Sequence, residues 1–383
     1  MLSEAEIASL QSEKKYFIEN IPSASYFQVL NSKGTNFNCY LEYLNSLNEE
    51  QKIDNVIEKV RVIAYALHKP FQFLFFYWTI LIIVLYKFNF KKPVMKIILG
   101  YFTLSIIGNI IEKFGDLLSF YYSNSPEIDE KGNTIYKCVY KASSPEMHPL
   151  KWVLTRQICS IFWYTGEIIA DWYPMIRIKE VEKDRQVIKY IYISFGIYNA
   201  TKILLIFYYF FLSPRDLYDA NGVYNAEKVN QFYFPYWSIQ LFMIFTAVIY
   251  NYTIYFVLKK NFSKENQSSN IGFIKKFKNF SEYRLMFSSI VNVILLPLVS
   301  ISIIFKFYYY YKYNYSHIDF SFDEIKQNII NLSYNMIFID QIFPLISRKD
   351  SDLTSTSNLS KSNQNVLKIQ TNNNNNNYNN EGI

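Results

Sequence analysis

Residues 70–96 read PFQFLFFYWTILIIVLYKFNFKKPVMK. Pro70–Phe88 holds a single charge, Lys87, in an otherwise apolar and aromatic run. As a helix it is long enough to cross a hydrocarbon core of ~30 Å. Lys87, Lys91, Lys92 and Lys96 then follow with no acid among them. A short loop of that kind stays on the cytoplasmic side. The same pattern of apolar run and polar loop recurs at Lys96–Tyr121, Leu150–Pro174, Ile188–Leu212, Phe232–Leu258, Leu285–Lys306 and Ile325–Ile346. Backbone N–H and C=O groups in lipid must be satisfied within the segment, so each run is expected to be a helix. The predicted fold is an all-α membrane protein. About seven transmembrane helices form a bundle over 70–346, after a polar N-terminal region at 1–69. Residues 347–383 form a Ser/Thr-rich and Asn-rich tail, too polar to offset its ordering entropy and expected to be disordered.

Loop charge orients the bundle. The third loop, Ile176–Lys189, has five bases and three acids, and the fifth, Lys259–Arg284, has seven bases and two acids. The second, fourth and sixth loops carry more acids than bases. Odd loops are therefore predicted to be cytoplasmic, with the N-terminus outside and the C-terminus inside. Met1–Phe17 is charged and has no apolar core of a cleavable signal, so the first span is expected to be a signal-anchor. The mean hydropathy of -0.01 is low for such a protein because of its 35 tyrosines and polar ends. The net charge of +7 sits in the loops beside the spans, which points to lipid and not to nucleic acid.

Before the first span, Val56, Val60, Ile63 and Leu67 repeat at helical spacing, predicting a short amphipathic helix over 54–67 that packs on the bundle. Cys39 and Cys138 fall on the same, oxidising side and can pair there, though two separate thiols fit equally. Cys159 reads as packing within the third span.

Ionisable groups inside spans are costly and usually face a bundle interior. The ~1.5 Å helical rise places Glu112, Asp116, Arg156 and Lys202 in one outer layer, an expected ion-paired network or ligand site. Glu112 and Asp116, four apart, share a helix face. Glu167, Asp171, Asn251, Asn292 and Asp340 fall in a deeper layer, whose acids have no obvious buried base; Arg284 and Lys189 at the membrane edge are the candidates, the alternative being one carboxyl that stays protonated. Purely structural linkage of helices is the plainer reading of both layers.

Asp171-Trp172-Tyr173 closes the third span before a basic loop, where rhodopsin-type receptors carry Asp/Glu-Arg-Tyr. The central Arg is Trp here, and the last span has Asp340-Gln-Ile-Phe-Pro344 where those receptors have Asn/Asp-Pro-x-x-Tyr. The arrangement over 70–346 and the Ser/Thr-rich tail resemble seven-span receptors in topology. His68, His148 and His317 form no metal-ligand spacing, and no nucleophile elbow or phosphate-binding loop occurs, so neither enzyme activity, metal nor cofactor is expected. The leading expectation is a receptor-like protein, in the plasma membrane ahead of internal membranes, with a cytoplasmic signalling partner at its basic loops. A transporter or channel using the intramembrane acids, and a non-catalytic scaffold or biogenesis factor, are the rivals. Asn314 is the glycosylation sequon of a predicted outer loop, whereas Asn261, Asn266 and Asn279 lie in a predicted inner one. Ser351, Thr354, Ser355, Thr356 and Ser357 are candidate phosphorylation sites in the tail.

Overall fold

A computed structural model describes residues 9–128, 134–265, 280–313 and 329–343. Asn266, Asn279, Asn314, the five tail Ser/Thr sites and the Asn-rich run lie outside the described residues.

Helices dominate. A polar head carries α1 (Tyr26–Leu30) and α2 (Phe37–Ser46). Next, α3 (Glu49–Gln72) and α4 (Phe75–Leu85) form one rod bent by 54°. Pro70 and the extended backbone of Phe73 place that break. After α5 (Pro93–Phe114) comes a hairpin of β1 (Phe120–Ile128) and β2 (Thr134–Lys141), paired antiparallel. A short helix, α6 (Pro149–Trp152), runs through a π-helical turn at Val153–Ile158 into α7 (Cys159–Val181). The chain continues through α8 (Arg185–Tyr209), α9 (Ala226–Glu265), α10 (Ser281–Tyr313) and a last helix, α11, over 329–343.

Four of the described helices are long and apolar enough to cross a bilayer: Pro93–Leu117, α8, Ala226–Asn261 and α10. The bent α3–α4 rod makes a fifth if it counts as one span. α7 falls short because Glu167 and Asp171 interrupt its apolar run, and the described part of α11 is brief.

The described connections meet at two ends of the helices. At one end lies a cap. Cys39 on α2 is disulfide-bonded to Cys138 on β2, with Cα atoms 5.4 Å apart. Gly34 bridges both Phe17 and Tyr122, and Asn124 bridges Val223 of the α8–α9 connection. Phe17, Phe37 and Tyr122 fill the space beneath. Glu13 pairs with Lys33 at 2.7 Å, which holds its carboxyl below the usual range. The N-terminal region and the loops after α5 and α8 are thus one folded unit.

At the opposite end, Glu182 accepts hydrogen bonds from the backbone N–H of Lys183 and Asp184, each at 2.9 Å, and from Asn261 Nδ2 at 3.1 Å. The Asp184 N–H leads in holding that carboxyl below its ordinary range. Between the two ends, α5 lies along α3 and α7, and α9 along α8 and α10. Small residues set the close α5–α7 approach: a Cβ on Gly108 would come within 2.6 Å of the Trp163 ring. Phe75, Tyr101, Tyr173 and Phe338 centre the core toward the far end; Trp152, Leu205 and Phe232 centre the one under the cap.

Three boundaries differ from the sequence reading. The second run ends at Leu117, because Phe120 and Tyr121 enter the hairpin. The third run does not stop at Pro174, which α7 accommodates before continuing to Val181. The amphipathic helix is longer, and its Val56, Val60, Ile63 and Leu67 stripe is exposed, while Val62 and Ala66 are buried against the bundle. That stripe prolongs the outward apolar face of Phe71 and Leu74, so it belongs to the outside of the rod.

Candidate functional site

The polar groups do not fall into the expected two layers. They form three groups at successive depths.

The first lies beneath the cap, around a cavity of about 770 Å³. Glu112 reaches it from α5, Lys69 from α3 and Arg156 from the π-helical turn. A π-turn widens the helix by one residue, and such turns recur at functional sites. Here the turn carries Arg156. The Arg156 side chain makes no hydrogen bond or ion pair among the described residues, and its Nε is buried without a partner. Glu112 has no ion-pair partner among them either; the charges acting on it most strongly are Arg156 and then Lys69. Asp116 is not part of this site. It turns outward to Lys113 at 2.7 Å and Lys151 at 3.9 Å. The facing wall is aromatic and hydroxylated. Tyr209 and Tyr236 hydroxyls meet at 2.9 Å, and Gln240 Nε2 donates to Tyr236 at 2.9 Å and to Tyr164 at 3.2 Å.

The second group is a triad in mid-bundle. Lys202 Nζ lies 2.7 Å from Asp171 Oδ2 and 3.1 Å from Glu167 Oε2, and also 4.4 Å from the Tyr198 ring centroid. Lys202 is 1% exposed. This corrects its placement with Glu112 and Asp116. Because α7 continues to Val181, Asp171 lies roughly 15 Å from the helix end and not at it. Lys202 points its long stem back toward the N-terminus of α8, and that direction carries the ammonium down to Asp171.

No protein family matches the chain, and neither a curated protein nor a solved structure is significantly similar to it. The site therefore has to be read from its own geometry.

The third group closes the far end. Asp340 on α11 accepts from Arg284 and Ser281 of α10 and from Tyr173 of α7. Arg284 and Asp340 are almost wholly buried. Between this group and the triad lies a smaller void of about 80 Å³. There Asn292 Nδ2 donates to Asn251 Oδ1 at 2.9 Å and to Ser333 Oγ at 2.8 Å. Asn251 and Asn292 thus join each other but not Asp340. Glu167 lines both the large cavity and this void.

The sequence reading missed Lys69 and the tyrosine wall. A lysine just ahead of an apolar run reads as a membrane-edge residue, and tyrosines read as interfacial anchors. Gln240, an amide inside the apolar run that also holds Asn251, was the available signal.

Proposed function

We propose that the chain is a seven-span, receptor-like protein whose cavity beneath the cap takes a small ligand from outside the cell, with the far end facing a cytoplasmic partner. α7 and α11 supply the two further spans. Both pack in the bundle core, where Ala170 and Tyr173 meet the same cluster as Tyr334 and Phe338. Their charges are matched within the bundle, which lowers the cost of lipid burial. The disulfide lies in the cap, which supports an oxidising, outer side for that end. The basic loops then lie in the cytoplasm, and the plasma membrane is the proposed location.

One observation carries the reading. The roomy cavity with uncommitted charges is at the cap end, whereas the Arg284–Asp340 pair ties α7, α10 and α11 together at the other. A ligand pulling on α5 and α7 would bear on helices that this pair holds in register. Transport is the second reading, and it draws on Glu167 lining both voids.

Thiol accessibility tests the proposal. Asn109→Cys, which lines the large cavity, should react with a membrane-impermeant thiol reagent on intact cells. Ser288→Cys, at the smaller void, should stay unreactive from either side. Labelling of Asn109→Cys from the cytosolic face alone would refute the orientation. Labelling of Ser288→Cys from the cytosol, together with solute uptake into proteoliposomes, would establish transport instead.

A further inference from the structure

The cavity beneath the cap has an unusual charge arrangement for a site within a bundle. Arg156 and Glu112 line the same space, act on each other electrostatically, and yet form no ion pair with each other. Elsewhere the bundle pairs its opposite charges at contact. Lys202 holds two carboxylates, and Arg284 holds one.

The charge balance narrows what fits. Lys69 and Arg156 contribute two positive charges to the lining, and Glu112 and Glu167 two negative ones. The lining is therefore neutral as it stands, while Glu146, outside it, acts on Arg156 and accepts from Tyr233. A ligand with net charge would leave an uncompensated charge in a low-dielectric bundle, which is costly. A neutral apolar ligand would leave Arg156 and Glu112 unpaired. A molecule carrying both an anionic and a cationic group satisfies both residues and adds no net charge.

The remaining surface indicates what joins those two groups. The Tyr209–Tyr236–Gln240–Tyr164 chain already spends its hydroxyl and amide groups largely on itself. What it offers the cavity is ring surface, joined by Trp163, whose Nε1 is committed to Asn109 Oδ1 at 3.1 Å. Ring faces favour an aromatic or apolar side chain. The volume is within the range of small-molecule sites, roughly 300–1,000 Å³.

From these features, and resting on the reading of this cavity as the ligand site, we propose that it binds a zwitterionic amino acid. The ligand carboxylate sits on the Arg156 guanidinium, its ammonium on Glu112, and its apolar or aromatic side chain on the tyrosine wall. Arg156 suits a carboxylate because its fork of N–H donors matches both oxygens.

The test uses the full chain in detergent and three probes sharing one hydrocarbon skeleton. These are L-phenylalanine, 2-phenylethylamine without the carboxylate, and 3-phenylpropionate without the amine. Equilibrium binding is read by thermal shift against ligand concentration. L-phenylalanine should bind at least about tenfold more tightly than either analogue, as the loss of one charge-assisted hydrogen bond implies. In Arg156→Gln the advantage over 2-phenylethylamine should vanish, and in Glu112→Gln the advantage over 3-phenylpropionate. Each variant's own melting curve shows that it is folded. Either analogue binding as tightly as L-phenylalanine would overturn the proposal. So would equal loss of all three probes in both variants, or the absence of binding across the standard amino acids. Detergent binding does not depend on orientation, so failure of the topology reading leaves this result intact.

Discussion

Replacing Lys202 with methionine keeps the apolar stem and removes the ammonium that sits between Asp171 and Glu167. Two carboxylates then face each other in mid-bundle with no base in contact. Breaking a buried pair by removing one partner costs about 3–5 kcal/mol. The variant has one escape, which is to protonate a carboxyl. For a glutamic acid with a reference pKa of about 4.3, that costs about 4 kcal/mol at pH 7 and only about 1 kcal/mol at pH 5. Protonating both acids at pH 7 would cost about 8 kcal/mol, beyond that range. The variant should therefore take up one shared proton and leave one carboxylate ionised. At about 2 °C per kcal/mol, Lys202→Met should lower Tm by about 8 °C at pH 7 and by about 2 °C at pH 5. The wild-type protein should show no matching gain at pH 5. Adding Glu167→Gln and Asp171→Asn to Lys202→Met removes the remaining charge and should restore most of the lost stability. The assay is thermal unfolding of purified protein in detergent at the two pH values. An equal loss at both, or a loss under about 1 kcal/mol at pH 7, would refute the claim that the three groups form a dry, mutually dependent triad.

Outside the spans, His148 is buried against Tyr121, with ring centroids 5.0 Å apart, and burial, with Lys151 nearby, pushes its pKa down to about 4. Its neutral form is favoured by folding, so that stability is complete above pH ~6.5 and falls by about 1.4 kcal/mol per pH unit below it, to a total near 3 kcal/mol; His148→Phe should flatten this limb of the pH–Tm profile. The disulfide closes a separation of 99 residues, and Cys39→Ser should cost up to about 4–5 kcal/mol and raise hydrogen exchange in the cap first. Unchanged exchange at β1 and α2 would contradict the cap as one folded unit. Asn261 donates to Glu182 at the end opposite the cap, so glycopeptide mapping should find its sequon bare.

What the sequence disclosed and what it hid follow from the range of each signal. Apolar length is a local property, and α5, α8, α9 and α10 were readable from it. Alternating loop charge sorted the connections into two groups; among the described residues, the loops after α5 and α8 meet in the cap, and Glu182 after α7 meets Asn261 at the other end. Glu167 and Asp171, four apart on α7, share Lys202, a base that the sequence reading put in the other layer. The identity of that partner was not readable. Depth was counted from the edge of the apolar run, and α7 extends beyond that edge through Pro174. A proline within an apolar run looks like an end, because the sequence does not show what satisfies the carbonyl it leaves free. The hairpin escaped for the opposite reason. Thr134–Lys141 reads TIYKCVYK, rich in β-branched and aromatic residues but without strict alternation, a strand signal that is weak beside seven long apolar runs. The π-turn that carries Arg156 has no signature in composition at all.

The contrast between Arg284 and Arg156 shows why placement alone does not decide which buried charge is functional. Sequence-based depth put Arg156 within the third run and Arg284 at the end of the fifth loop, and neither placement shows which one has a partner. Arg284 is bonded to Asp340, and the same carboxylate also accepts from Ser281 and Tyr173. Its bonding is spent on three helices. Arg284→Ala would leave Asp340 buried with only hydroxyl donors, at a cost of about 3–5 kcal/mol. Arg156 stands over a cavity with its Nε unpartnered. Folding has gained little from its charge, so Arg156→Gln should cost no more than about 1 kcal/mol. Melting curves of the two variants, measured side by side, decide the matter. A large loss for Arg156→Gln would make it another structural cation and remove the reason to look for a ligand there. A small loss leaves a desolvated guanidinium that contributes little to folding, as the ligand proposal requires.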